Sequence, residues 1–300
     1  MQLMRDFFLY LSERRQLENF VSKFPPTRKL VDRFVAGRTL EEAMRVVKAL
    51  NDEGIRVTLD RLGESVLDKS LVEETVNEYL KILDVLKGTN NSVAVKPTSV
   101  GLDISKEVAL ENFRKLLQKG DFIEIDMEAS RYVDDTLWIY RKLKEEFPDK
   151  RIAVAIQAYL YRSEDDIKSL TPLKPCIRLV KGAYKEPPDV AIQDKRKVDE
   201  NYVKLLFYLL ENIPYTLVAT HDEKIINRML DFVKERNIDK DRFEFQFLYG
   251  IKSALLRRLR DEGYNTGMYV PYGTHWYPYF MRRLAERPAN VWFVFKNLFG

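Results

Sequence analysis

Two hydrophobic periods alternate along this chain. Short β-branched runs predict strands over 55–59, 92–96, 122–127, 152–157, 176–180, 216–220, 243–247 and 267–270. Between them LVEETVNEYLKILDVL, ALENFRKLLQK, DTLWIYRKLKEEF, NYVKLLFYLLEN and EKIINRMLDFVKER space their apolar residues near 3.6, the period of a half-buried helix. Up to about residue 50 the pattern is helical, and Leu40, Ala43, Val46, Val47 and Leu50 give one helix a clear apolar face. Strict alternation of strand and helix implies parallel strands joined by right-handed crossovers. Eight such units predict an α/β fold, a (βα)8 barrel carrying extra N-terminal helices. An open sheet is the rival, because periodicity cannot by itself reveal closure. No linker, low-complexity tract or charge block divides the chain. Residues 1–300 therefore read as one barrel domain, with 1–50 as helices packed on it.

Composition narrows the function. Lys and Arg total 50 against 46 Asp and Glu, and they interleave rather than form a stripe, so nucleic-acid binding has no support. Cys176 is the only cysteine, which rules out an intrachain disulfide and argues against a cysteine zinc site. His221 and His275 match no metal-ligand spacing. There is no GxG and no Walker sequence, so any nucleotide cofactor is held in another way. The opening segment is broken by Arg5, Asp6 and Glu13, and no apolar run approaches the roughly 18 residues of a spanning helix. A cytoplasmic chain is the expectation.

In such a barrel the chemistry gathers at the C-terminal strand ends. Those ends read Lys96, Asp126, Gln157, Arg178 with Lys181, Thr220 with His221, Gln246, and Tyr269 with Tyr272, while the strand interiors read as apolar. Lys96 and Arg178 facing Asp126 would offset the cost of burying each charge alone. Taken singly, each is equally a solvated loop residue. A desolvated Lys96 or Lys181 could form a Schiff base; an ammonium paired with Asp126 is the competing reading. The segment WYPYFMRRLAERPAN is the most specific. Pro278 suits a helix start, and Pro288 disfavours helix at Arg287. Arg282 and Glu286 stand at i,i+4, with Tyr279 on the same side as Arg282 and Arg283. Paired guanidiniums suit a carboxylate or phosphate. An exposed salt-bridged helix is the plain alternative, but the aromatic HWYPYF beside it favours a closed pocket for a small anion.

The strings AVKPT, IDMEAS, IQAYL, RLVKGAY, ATHD, FEFQFLYGI, YVPYGTHW and YFMRRLAERPAN resemble the proline dehydrogenase family, in order and spacing, from about residue 92 to 290. The resemblance implies a distorted (βα)8 barrel with noncovalent FAD at the strand C-termini. It implies that Arg282 and Arg283 hold the proline carboxylate, Lys96 adds positive charge, Glu286 orients Arg282, and Asp126 orients Lys96. Tyr269, Tyr279, Tyr184 and Leu248 would wall the pyrrolidine ring. Arg178 would lie near flavin N5, with Gln157, Val180, Gly182, Thr220, His221 and Gln246 as further flavin contacts. At Gly182 a missing side chain would let a flat cofactor approach the backbone. The implied electron acceptor is a membrane quinone, which requires transient contact with the membrane surface. Two rival classes stay open on composition and fold: a Schiff-base lyase and a non-catalytic small-anion binder.

Overall fold

The computed structural model describes residues 31–63, 65–277 and 279–281. Eight parallel strands close into a barrel in sequence order. They are β1 (Arg56–Arg61), β2 (Ser92–Val95), β3 (Phe122–Ile125), β4 (Arg151–Gln157), β5 (Cys176–Val180), β6 (Tyr215–Val218), β7 (Phe243–Leu248) and β8 (Thr266–Tyr272). Closure comes from β1 pairing along its whole length with β8, from Arg56 opposite Gly267 to Arg61 opposite Tyr272. The barrel is therefore the correct member of the pair left open by periodicity.

The helices are α1 (Leu40–Asp52), α2 (Lys69–Leu86), α3 (Lys106–Lys119), α4 (Val133–Glu146), α5 (Ser163–Leu170), α6 (Lys195–Asn212), α7 (Glu223–Glu235) and α8 (Ser253–Asp261). Short polar residues start most of them. Thr39 and Glu42 form a capping box on α1, and Asp68, Ser105, Asp194 and Asp222 cap α2, α3, α6 and α7. The apolar faces of these helices meet Val57, Leu59, Ile123, Ile125, Val154, Ile156, Ile177 and Leu179 on the outside of the barrel. Each such side chain contributes on the order of 1.5–3 kcal/mol on burial.

One expectation fails here: the strand interiors are not apolar. β1 alternates Arg56, Thr58 and Asp60 with Val57 and Leu59, β3 carries Glu124, and β7 carries Glu244 and Gln246. All of these polar residues are buried. Arg56 reaches Glu124 of β3, and Gln246 of β7 reaches Thr58 of β1. Bonds between strands that are not neighbours can only cross the barrel's inside. Because helices cover the outer face, the usual alternation is inverted, polar inward and apolar outward.

Of the expected N-terminal helices, α1 packs on β1 and β8, and residues 1–30 lie outside the described residues. The preceding segment is tied to β8 by Ala36 N–H donating to the Pro271 carbonyl and Gly273 N–H to that of Gly37. A second small core joins Val31, Phe34 and Val35 to Trp276, Tyr277, Tyr279, Phe280 and Met281, with Leu248 at its edge. Residues 276–277 and 279–281 are helical; Pro278 and residues 282–300 are outside the described set. No helix among the described residues is long and apolar enough to cross a membrane.

Candidate active site

The C-terminal mouth of the barrel is organised around Asp126, just past β3. Its Oδ2 accepts from Lys96 Nζ (3.1 Å) and from the Tyr269 hydroxyl (2.7 Å), and its Oδ1 accepts from Arg178 Nη1 (2.9 Å). Lys96 also donates to Asp60 Oδ1 at 2.9 Å. The Arg178 guanidinium stacks on the Tyr269 ring, 4.4 Å from its centroid, and its Nε donates to Gln246 Oε1. Lys96 and Arg178 therefore do converge on Asp126, and all six of these side chains are buried.

Burial and pairing compete at each group. Burial pushes the Asp126 carboxyl up, but Lys96, Arg178 and the Tyr269 hydroxyl together hold it below its ordinary value. Asp60 goes the other way: burial, joined by the charge of Asp126, outweighs Lys96 and raises it. Burial opposes the Lys96 charge, yet Asp60, Tyr269 and Asp126 hold the ammonium well above its usual value. Burial also drives the Tyr269 phenol upward, reinforced by Asp126 and Asp60. Lys96 is a charged group here, not a neutral amine. Lys181 is likewise engaged, by Asp199 and Asp222 (3.1 Å). Both lysines are thus ion-paired, the competing reading of the sequence.

Beneath the mouth lies a second polar layer that strand ends alone did not reveal. Arg56 donates through Nε and Nη2 to the two oxygens of Glu244 (2.6 and 2.5 Å) and through Nη2 to Glu124 (3.1 Å). A Cβ at position 267 would overlap the Glu244 carboxylate, so Gly267 makes the room this pair occupies. Glu124 also accepts from Thr58 (2.8 Å), Ser92 (2.7 Å) and Gln246 Nε2 (3.0 Å). Burial raises the Glu124 carboxyl, but Arg56, Arg178 and its hydrogen-bond donors bring it below the ordinary value. The period-two placement of charge in RVTLDR, FIEI and FEFQFL was the available signal for this layer.

The remaining expected residues divide by strand. Gln157 ends β4 and donates to the Glu128 carbonyl (2.9 Å); Val180 ends β5, with Gly182 and the half-buried Tyr184 following. Thr220 and His221 follow β6. His221 Nε2 accepts from the Leu248 N–H (2.8 Å), which leaves the ring proton on Nδ1. Leu248 ends β7, and Tyr279 is buried in the second core. At Gly182, φ is +115°, and a Cβ would overlap the Tyr159 ring. That ring already accounts for the glycine, so close approach of a flat cofactor is not needed to explain it. Arg282, Arg283 and Glu286 lie outside the described residues. A cavity of about 300 Å³ lined by Val31, Arg38, Glu42, Tyr249 and Trp276 touches none of the network residues. The charged network, rather than that volume, marks the site.

The profile of the proline dehydrogenase family matches residues 43–296. The chain belongs to the proline dehydrogenase family. Family membership assigns it proline dehydrogenase activity, the first step of proline catabolism. The family's proline dehydrogenase 1 of Bacillus subtilis (strain 168) is 43% identical over 99% of both chains. The proline dehydrogenase of Deinococcus radiodurans is 42% identical, covering 99% of this chain and 98% of its own. Among solved structures, proline utilization A from Bdellovibrio bacteriovorus, inactivated by N-propargylglycine, superposes with a TM-score of 0.80 at 27% identity. That match covers 87% of this chain and 33% of the other.

Proposed function

We propose that this chain is a single-domain flavoenzyme that oxidises L-proline to Δ1-pyrroline-5-carboxylate by hydride transfer to noncovalently bound FAD. The observation that carries the reading is the way Arg178 bridges the mouth. The residues assigned to the cofactor, Gln157, Arg178, Val180, Gly182, Thr220, His221 and Gln246, come from the contiguous strands β4 to β7 and their ends. Three of those assigned to the substrate, Lys96, Asp126 and Tyr269, stand on the other half of the barrel, just past β2, just past β3 and on β8, while Tyr184 and Leu248 lie on the cofactor side. Arg178 stands in the first group and grips Asp126 and Tyr269 of the second.

The donor chemistry fits such a pair of ligands. Arg178 Nη2 has no hydrogen-bond partner among the described residues, and the Lys96 ammonium, with two acceptors, keeps a third N–H. These are cationic donors at the mouth, suited to a flavin edge and a carboxylate. FAD, when bound, supplies the hydride acceptor for proline C5.

The chain's own residues do the placing. The linked network holds three cations (Arg56, Lys96, Arg178) and four carboxylates (Asp60, Glu124, Asp126, Glu244), a formal sum of −1. On that formal count the set offers a carboxylate directed donors but no net positive charge. Arg282 and Arg283 supply the missing positive charge, with Glu286 orienting Arg282. Tyr269, Tyr279, Tyr184 and Leu248 wall the ring, so that the fixed carboxylate presents C5 in one orientation.

The visible spectrum of the purified protein tests this reading. Flavin bands near about 380 and 450 nm that bleach on anaerobic addition of proline are the expected result. Flavin that is present but not bleached would remove proline; a colourless protein inert with added FAD would remove the flavin mechanism.

Electrons then pass to a membrane quinone, reached from the cytoplasm by transient contact with the bilayer surface. The candidate segments for that contact are residues 1–20, where Phe7, Phe8 and Leu9 stand beside Arg5 and Arg14, and the apolar C-terminal tail; packing of both against the barrel is the favoured alternative. Co-sedimentation with anionic liposomes is expected for the full chain and to weaken on deletion of 1–20. Equal sedimentation of both would move the contact elsewhere.

A further inference from the structure

Gln246 lies inside the barrel, and its amide is used at both ends. Oε1 accepts from Arg178 Nε, while Nε2 donates to Thr58 Oγ1 (2.8 Å) and to the Glu124 carboxylate (3.0 Å). The orientation is fixed by chemistry. Turned over, the amide would set its oxygen against a carboxylate and its N–H groups against a guanidinium. Glu124 is held in turn by Arg56, Thr58 and Ser92 and is itself 3.9 Å from Arg178 Nε. A line of buried hydrogen bonds thus runs from Arg178 through Gln246 to Glu124, where Arg56 donates from the other side. Asp126 holds the same guanidinium at Nη1, and two acceptors at different nitrogens fix both its position and its plane.

We infer that Gln246 and Glu124 are positioning residues for Arg178, and that Gln246 acts through that arginine rather than by touching a ligand. The inference rests on the flavin and proline reading above and departs from it at one residue. A flavin would have to displace the Arg178, Thr58 or Glu124 bonds to use the Gln246 amide, leaving a buried partner unsatisfied. With the line intact, Arg178 keeps its position and its free Nη2 with no reorganisation when ligands arrive. Removing Gln246 frees Nε, and the guanidinium loses the acceptor that sets its plane, with the Glu124 carboxylate at 3.9 Å left to draw it inward. Displacements of about 1 Å at such a group cost up to about a hundredfold in rate.

The test is a cycle of four holoenzymes: wild type, Gln246→Met, Arg178→Met and the double variant. The readouts are the flavin midpoint potential and, separately, kcat and KM for proline. Gln246→Met is expected to shift the potential and lower kcat/KM by about tenfold or more. In the Arg178→Met background it is expected to change neither. Independent effects that add in the double variant would overturn the inference, because Gln246 would then meet the ligand itself.

Glu124→Gln is the second variant, since Glu124 is fully buried in the polar layer beneath the mouth and meets Arg178 only through Gln246 and at 3.9 Å. It should shift both readouts in the same direction as Gln246→Met, and unchanged values would also overturn the inference. The same four-protein cycle on the melting temperature of flavin-free protein separates the two ideas. If wild type carried no flavin, the functional reading would fall. Non-additive melting temperatures would still uphold the Gln246–Arg178 link, and additive ones would reject it.

Discussion

One ammonium serves two carboxylates at the mouth, and the two respond differently. Asp126 gathers Lys96, Arg178 and a phenol and sits below its ordinary value, whereas Asp60 is buried beside Lys96 and the charge of Asp126 and sits above. These shifts pull stability in opposite directions with pH. For Asp126 and Glu124 the folded value is depressed, so their contribution is present above the unfolded values and is lost as pH falls through the folded ones. For Asp60 the fold favours the protonated acid. Its contribution is complete below the unfolded value and declines as pH rises through the folded one, so it offsets part of the acid loss. We expect the melting temperature to fall as pH drops below about 4. Asp60→Asn removes the offset and should move the onset of that fall to higher pH. Thermal unfolding between about pH 3 and 7 reads the onset directly; an onset at lower pH in the variant would reverse the assignment of Asp60. Lys96 and Asp126 were legible because each follows an apolar run; Arg178 was legible as a charge within one, and it stands mid-strand in β5 rather than at the strand end where it was read. Asp60 was not, because the first predicted strand stopped at 59 and its polar end was never read; β1 runs on to Arg61.

At the scale of elements, Asp222 links three of them. Its side chain caps α7 by accepting from the Lys224 N–H at 3.1 Å, and its other oxygen takes Lys181, just past β5, which Asp199 of α6 also holds. Capping and ion pairing can be separated by chemistry, because asparagine caps as well as aspartate but carries no charge. Asp222→Ala should cost about 1–2 kcal/mol. Asp222→Asn should cost under about 1 kcal/mol, since a half-exposed pair is worth little and Asp199 remains for Lys181. Urea unfolding of the two variants checks this, and equal losses would mean that the charge rather than the cap matters. All eight strands were visible in the sequence because each joins an apolar outer row to a short run. Helices α5 and α8 were not singled out. With 8 and 9 residues they hold little more than two turns of periodicity, too few to stand out from a loop.

For the whole molecule, the consequential departure from expectation is what fills the barrel. Layers of branched apolar side chains are the ordinary filling of such a fold. Here Arg56, Glu244, Glu124, Ser92 and Thr58 occupy the interior beneath the site, because the apolar rows of the strands are spent on the helices outside. A buried ion set of this kind adds less stability than its close contacts suggest, since desolvation offsets much of the attraction. Its asymmetry can be measured. Arg56→Met would strand buried Glu244 without a cation and leave Glu124 only the more distant Arg178, and should cost about 3–5 kcal/mol in chemical denaturation. Adding Glu244→Met and Glu124→Gln removes both of those charges, and the triple variant should recover most of that loss. Recovery of stability alone would leave the interior replaceable as a scaffold. The floor also feeds Arg178 through Gln246, however, so the triple variant should fold well and still oxidise proline poorly. Full activity in a stable triple variant would mean that the polar floor serves the fold and not the site.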